Sequence, residues 1–473
     1  MNFSANAQFT TLTNEALVNT TTLGDQTTYW WSLRTVAVQP DGGFIIVWID
    51  AAANDGQSNG IYGQLFNANG TKKGAEFRVN TTTAGSQYSP ALAVAPDGSF
   101  LVAYESPGNS IDIFAQKFTK DGVKEGIEFL LNTTTSGNQR YPEIQYFNDG
   151  TFVAGFVDGS KTVIQRFDTD NRTIGQETQI SSNTGDVVLD GFCVRPDNSI
   201  LLFWTSGGDV YGQIFDYNLN GVGSATRLNT YTTGIQQYVL GRVDADGDMV
   251  LVWESDGQDG SGNGVYGKRY DKNFNQLGSE FCLTTTTTNN QYGPTVVMAP
   301  GGEFITAWTD ENNRDAGGSA GGVTGASVWF RLYDINGNPV GSETRINQTT
   351  TGYQGYTLMD INASGKFVIV WEGNGTQAGN VDAMGIFCRS YQLTQTGTTA
   401  IAVAPTNVKA GDLVTVTMTL TAPANVNNVT PNPLSISGTN GVFATLVSGP
   451  TPASATVGTL GTAFTWTYRV TAE

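Results

Sequence analysis

Two sets of residues in this chain have side chains whose types and spacing suit chemistry. The first is a series of aspartates and asparagines set among glycines: Asp50 and Asp55, then Asp256, Asp259 and Asn263, then Asp310 and Asp315. A hard cation takes roughly six to eight oxygen ligands from such carboxylates and carbonyls, and calcium is the cation these loops would hold. None of them follows the full D-x-[DN]-x-[DN]-G-x5-E spacing, and Asp-Gly is equally what a tight turn prefers, so plain turn chemistry accounts for the same residues. The second set pairs an amide with an aromatic ring: Gln87-Tyr88, Gln237-Tyr238 and Gln291-Tyr292, with Gln26, Gln139 and Gln354 in corresponding places. Ring faces and amides are groups with which a protein holds a sugar. Recurrence this regular also suits a scaffold, each amide tying a loop to its neighbour.

Composition removes several alternatives. The chain has no histidine, which takes away the usual general base, the Ser-His-Asp arrangement and every histidine-based metal site. Its 3 cysteines, Cys193, Cys282 and Cys388, lie far apart with no CxxC spacing, so zinc is not expected and they read as small buried apolar residues. With 24 basic against 42 acidic residues the net charge is -18, a surface that repels phosphate backbones and anionic headgroups; neither nucleic acid nor membrane insertion is expected. Paired carboxylates can hydrolyse glycosides without histidine. No asymmetric pair stands out in the sequence, and the Ser-x-Asp-x-Gly-x-Thr-Trp boxes of sialidases are missing. The expectation from sequence is a protein that is not an enzyme.

The elements that must position these residues are short strands. Residues 87–138 run through four apolar stretches separated by turns such as Pro96-Asp97-Gly98 and Lys120-Asp121-Gly122, and the chain up to about residue 393 divides into copies of this unit. Repeats of four strands at this period predict an all-β fold, a β-propeller, here with seven blades. The second strands, Phe44 to Trp48, Phe100 to Tyr104 and Phe304 to Trp308 among them, are nearly continuous apolar runs, as sheets covered on both faces require. The last unit lacks a fourth strand, while the chain opens with Glu15-Ala16-Leu17-Val18-Asn19-Thr20, which reads like one. The N-terminal strand is therefore expected to close the ring and remove its open edge. From Thr394 charge nearly vanishes and the unit disappears; alternating runs such as Leu413 to Leu420 predict a small immunoglobulin-like β-sandwich over residues 394–473, after a propeller over residues 1–393.

The string Val252-Trp253-Glu254-Ser255 followed by Asp256-Gly-Gln-Asp259-Gly-Ser-Gly-Asn263-Gly-Val-Tyr266-Gly resembles a repeat found in large bacterial secreted and surface proteins. Those proteins often carry hemolysin-type calcium repeats and immunoglobulin-like modules. The resemblance is clearest over residues 249–287 and 44–87; the nonapeptide Gly-Gly-x-Gly-x-Asp repeats are absent from this chain. It implies an extracellular or cell-surface location, reached by export without an N-terminal signal peptide. The first reading is thus a structural or adhesion protein whose propeller binds protein partners or self-assembles. A propeller lectin for glycans is the alternative, and a glycoside hydrolase with paired carboxylates comes third.

Overall fold

The structure, a computed structural model, describes residues 8–28, 32, 34–51, 56, 58–108, 110–159, 161–180, 188–311, 325–374, 384–394, 399–404, 413–420, 442–451 and 463–472. The chain divides into two compact units, Phe9–Gln392 and a second made of Met1–Gln8 with Leu393–Glu473. The larger unit is a seven-bladed β-propeller: seven antiparallel sheets follow one another along the chain, and the second to the sixth each pair four strands in sequence order. Its second strands, such as Phe44–Asp50, Met249–Asp256 and Lys366–Gly373, are buried along nearly their whole length, because each sheet is covered on both faces by its neighbours. The aromatic near the end of this strand is a core residue: Trp48, Tyr104, Trp253, Trp308 and Trp371 are fully buried. A second aromatic pair pins the strand's other end. Phe44 stacks on Phe66, Phe100 on Phe118, Phe152 on Phe167, Phe304 on Tyr333 and Phe367 on Tyr391, with ring centroids 4.5–4.9 Å apart. Each couple is directly cross-strand in the ladder, where β-sheet side chains meet best.

Sheets are joined side to side by glutamates of the fourth strands. Glu76, Glu128, Glu177, Glu280 and Glu15 each accept a backbone N–H from the chain leaving the preceding sheet: Thr20, Thr81, Thr133, Thr230 and Gln348, at 2.6–2.7 Å. Glu343 does the same for Thr285. In the fourth sheet the corresponding residue of Gly221–Arg227 is Ala225, so among the described residues the junction between the third and fourth sheets has no such carboxylate. Another set of contacts joins that junction: Arg166 lies over the Tyr217 ring with its guanidinium carbon 3.5 Å from the centroid, and the Tyr217 hydroxyl donates to Asp149.

The N-terminal strand Ala16–Leu17 pairs with Phe387–Cys388 of the seventh sheet, and Val18 N donates to Ile386 O at 2.7 Å. The described residues of the smaller unit form one four-stranded antiparallel sheet, ordered Thr399–Ala404, Leu413–Leu420, Ala463–Ala472, Val442–Thr451. The described residues show no second sheet of the expected sandwich. Cys193 and Cys388 are buried, Cys282 is half-buried, and all three are free thiols. No helix among the described residues is long and apolar enough to cross a membrane.

Candidate functional site

The site grows out of a recurring bulge at the start of each first strand. A buried glutamine opens it: Gln26, Gln87, Gln139, Gln236, Gln291 and Gln354 each donate from Nε2 to the carbonyl three residues back. Where the fourth strand supplies an asparagine, as Asn19, Asn80 and Asn229 do, its amide donates to the glutamine's Oε1. Two residues on, the backbone turns left-handed, at Ser89, Tyr141, Tyr238, Gly293 and Tyr356, with φ between 50° and 59°. That conformation is uncommon for any residue with a Cβ, and here it is held by the bulge and by a bond to the preceding sheet. Gly293 N donates to Glu254 at 2.7 Å, Tyr141 N to Glu105 at 2.9 Å and Tyr356 N to Thr309 Oγ1 at 3.0 Å. Thr28 N donates to Glu372 in the same manner. In the fifth and seventh sheets the left-handed residue is a tyrosine, Tyr238 and Tyr356; in the sixth it is Gly293, and the tyrosine is its neighbour Tyr292.

They line a cavity of 390 Å³ formed by Tyr238, Tyr292 and Tyr356 with Gln237, Glu254, Asn263, Asn290 and Glu311, together with Thr28, Ser32 and the apolar Leu240, Pro294 and Leu358. Tyr292 and Tyr356 meet edge to face, with centroids 5.8 Å apart, and the hydroxyls of Tyr292 and Tyr353 lie 3.1 Å from each other. Burial pushes the Tyr292 and Tyr353 phenols far above their ordinary range and Tyr356 up to about 12, so all three are neutral donors. An amide chain connects the two carboxyl groups. Asn263 Nδ2 donates to Glu254 at 3.4 Å, Asn263 N to Asn290 Oδ1 at 3.0 Å, and Asn290 Nδ2 to Glu311 at 2.8 Å. Burial raises the Glu254 carboxyl to about 7, against the opposing pull of the Gly293 N–H and the Gln237 amide. With its carboxyl raised to about 7, Glu254 exchanges its proton near neutral pH, which is what a general acid needs. No lysine or arginine is among the lining residues described.

The residues singled out from sequence are distributed as follows. Gln237, Tyr238 and Tyr292 share this cavity, and so does Asn263, which was expected as a metal ligand. The repeated glutamine of the fifth sheet is Gln236, not Gln237; the sequence Ile235-Gln236-Gln237-Tyr238 offers two candidates, and the strand register assigns the buried place to the first. Gln87 and Gln291 are buried and bonded within their own loops, while Tyr88 packs against the core between the first two sheets. Asp50 and Asp310 are buried at strand ends, Asp256 is exposed, and Asp259 Oδ1 accepts from Ser261 N in a tight turn. Asp55 and Asp315 lie outside the described residues. Among the described residues no three acidic or cysteine side chains converge as a metal site would require. Sequence reasoning missed Glu254, Asn290 and Tyr356. Tyr356 had a usable signal, since it follows Gln354 by two residues and the bulge turns that position outward.

No family model matches the chain, and no curated protein matches it. Solved structures do. A fungal alcohol oxidase, in complex with copper, is 14% identical at a TM-score of 0.51, covering 99% of this chain and 94% of its own. An ulvan lyase, a polysaccharide lyase, is 10% identical at 0.50, covering 80% and 95%. An α-L-arabinanase from Penicillium chrysogenum in complex with arabinobiose is 14% identical at 0.42, covering 63% and 92%. At these identities the likeness shows the fold. It also corrects the expectation that this chain is not an enzyme: the chains that share this fold at a TM-score of 0.50 or above include an alcohol oxidase and a polysaccharide lyase, so the fold gives no reason to set enzymes aside.

Proposed function

We propose that this propeller is a carbohydrate-active protein that holds a glycan in the tyrosine-lined cavity over its fifth, sixth and seventh sheets. The observation that carries this reading is the convergence of Tyr238, Tyr292 and Tyr356 with Gln237, Asn263 and Asn290 on one 390 Å³ cavity. Sugars present apolar C–H faces to aromatic rings and hydroxyls to amides, and this lining offers both. A glycan array followed by calorimetry tests the reading. The variant Tyr238→Ala/Tyr356→Ala is expected to weaken binding by more than about tenfold, since each stacked ring contributes roughly 0.5–1.5 kcal/mol. An array with no bound glycan overturns it.

A second reading, glycoside hydrolysis, is favoured by one further observation: Glu254, whose carboxyl burial raises to about 7, lines the same cavity as a second carboxyl, Glu311. Glu254 would protonate the glycosidic oxygen as the bond to the anomeric carbon breaks, and Glu311 would assist water or attack that carbon. Release of reducing ends from an array-positive glycan, lost in both Glu254→Gln and Glu311→Gln, is the expected result; binding without release leaves the lectin reading. We also infer that the pairing of Ala16–Leu17 with Phe387–Cys388 closes the ring and so keeps the cavity's sheets in place.

A further inference from the structure

We propose that the cavity takes a glycan bearing amino groups and no acid groups, an inference that rests on the carbohydrate reading and names the substrate class of the same site. The described lining places two carboxyl groups, Glu254 and Glu311, and three tyrosine rings around one space, with no lysine or arginine to meet an anion. An ammonium group is attracted to the face of a tyrosine ring and to a nearby carboxylate, and the attraction grows as water is excluded. Among the described lining residues a uronate or sulfate would meet two carboxyl groups and no cation.

The two carboxyl groups are not equivalent in what they have left to offer. Glu254 is committed on one oxygen to Gly293 N and is approached on the other by Asn263. Glu311 is anchored by Asn290 through one oxygen, Oε2, and its own backbone N donates to Asn290 O at 3.0 Å, so the side chain is aimed by its neighbour. Glu311 is accordingly the residue assigned to the ammonium group, in the cavity that Tyr292 and Tyr356 also line.

Calorimetry with oligomers of glucosamine, glucose and galacturonate, at low and at physiological salt, tests this. Glucosamine oligomers are expected to bind about tenfold more tightly than glucose oligomers, with the gap narrowing as salt rises, and galacturonate oligomers are expected not to bind. Glu311→Gln, which keeps the side chain's shape and its bond from Asn290, is expected to bring the ratio of glucosamine to glucose affinity, both measured on the same variant, below about threefold. Thermal unfolding of the variant checks that it folds. Galacturonate binding as tight as glucosamine binding, or a glucosamine advantage untouched by Glu311→Gln, overturns the inference. If the protein binds glycans on the array with no preference for glucosamine, the charge assignment alone falls; if it binds none, the carbohydrate reading falls with it.

Discussion

Glu254 holds a blade in place and faces a cavity at once, and its protonation couples the two. Its carboxyl is raised from the ordinary 4.5 to about 7, and the Asp190 carboxyl, buried and bonded to Thr205, is raised from 3.8 to about 7 as well; burial is the leading cause in both. Each folded group therefore keeps its proton over a range in which the unfolded group has lost it. By linkage that contribution is fully present below the unfolded values, declines from about pH 4 upward, and is lost as pH rises through about 7. Thermal unfolding followed by circular dichroism from pH 4 to 8 is expected to show stability falling toward neutral pH. In Glu254→Gln, which preserves the acceptor for Gly293 N but cannot ionise, the decline is expected to be shallower. An unchanged slope would mean that Glu254 is ionised in the folded protein.

At the scale of elements, the fourth-strand glutamates act as clasps from one sheet to the next, and their value is that of charge-assisted hydrogen bonds to backbone N–H groups at a half-exposed edge. Glu177, which accepts from Thr133 N at 2.6 Å and from the Thr134 hydroxyl at 3.3 Å, is expected to cost about 1 kcal/mol on replacement by alanine. The junction where Ala225 stands in the glutamate position relies instead on Tyr217, which lies beneath the Arg166 guanidinium and reaches Asp149. Tyr217→Ala is therefore expected to be the more damaging change, by about 2 kcal/mol, because it removes a cation–π contact and a hydrogen bond together. Ala225→Glu is expected to add roughly 0.5 kcal/mol by supplying the missing clasp. Urea denaturation of the three variants ranks them, and a Glu177→Ala protein as stable as the parent would show that the clasps order the loops without stabilising the ring.

For the whole molecule, the ends of the ring matter more than any single blade. Residues near the N-terminus make three kinds of contact across it: Ala16–Leu17 pairs with the seventh sheet, Asn19 bonds both Ile386 N and Gln26, and Thr20 N is held by Glu76 of the first. Removing residues 1–20 would expose the strand Gly385–Thr394 as an unpaired edge, a template for association with other chains. The expected outcome is a fall of about 10 °C or more in melting temperature together with self-association, read by calorimetry and light scattering. A truncated protein that remains a stable monomer would mean that closure depends on packing between blades alone.

The sequence by itself determined the propeller, because its turns, its apolar second strands and its aromatic strand ends repeat with the period of the blade, and burial on both faces leaves such runs few alternatives. It also carried the glutamine latch, which is local: each amide bonds to a carbonyl three residues back. What it did not determine was which aromatic and acidic residues meet. Gln236 and Gln237 are interchangeable on paper, and only the register of the ladder buries one and turns the other into the cavity. Glu105, Glu254 and Glu372 occupy the same place in their strands and make the same bond to the next sheet, yet Glu254 alone of the three lines the tyrosine cavity. That difference arises because Tyr238, Tyr292 and Tyr356 come from three sheets spread over more than a hundred residues of chain, and only the closing curvature of the ring brings their bulges to one side of a common space.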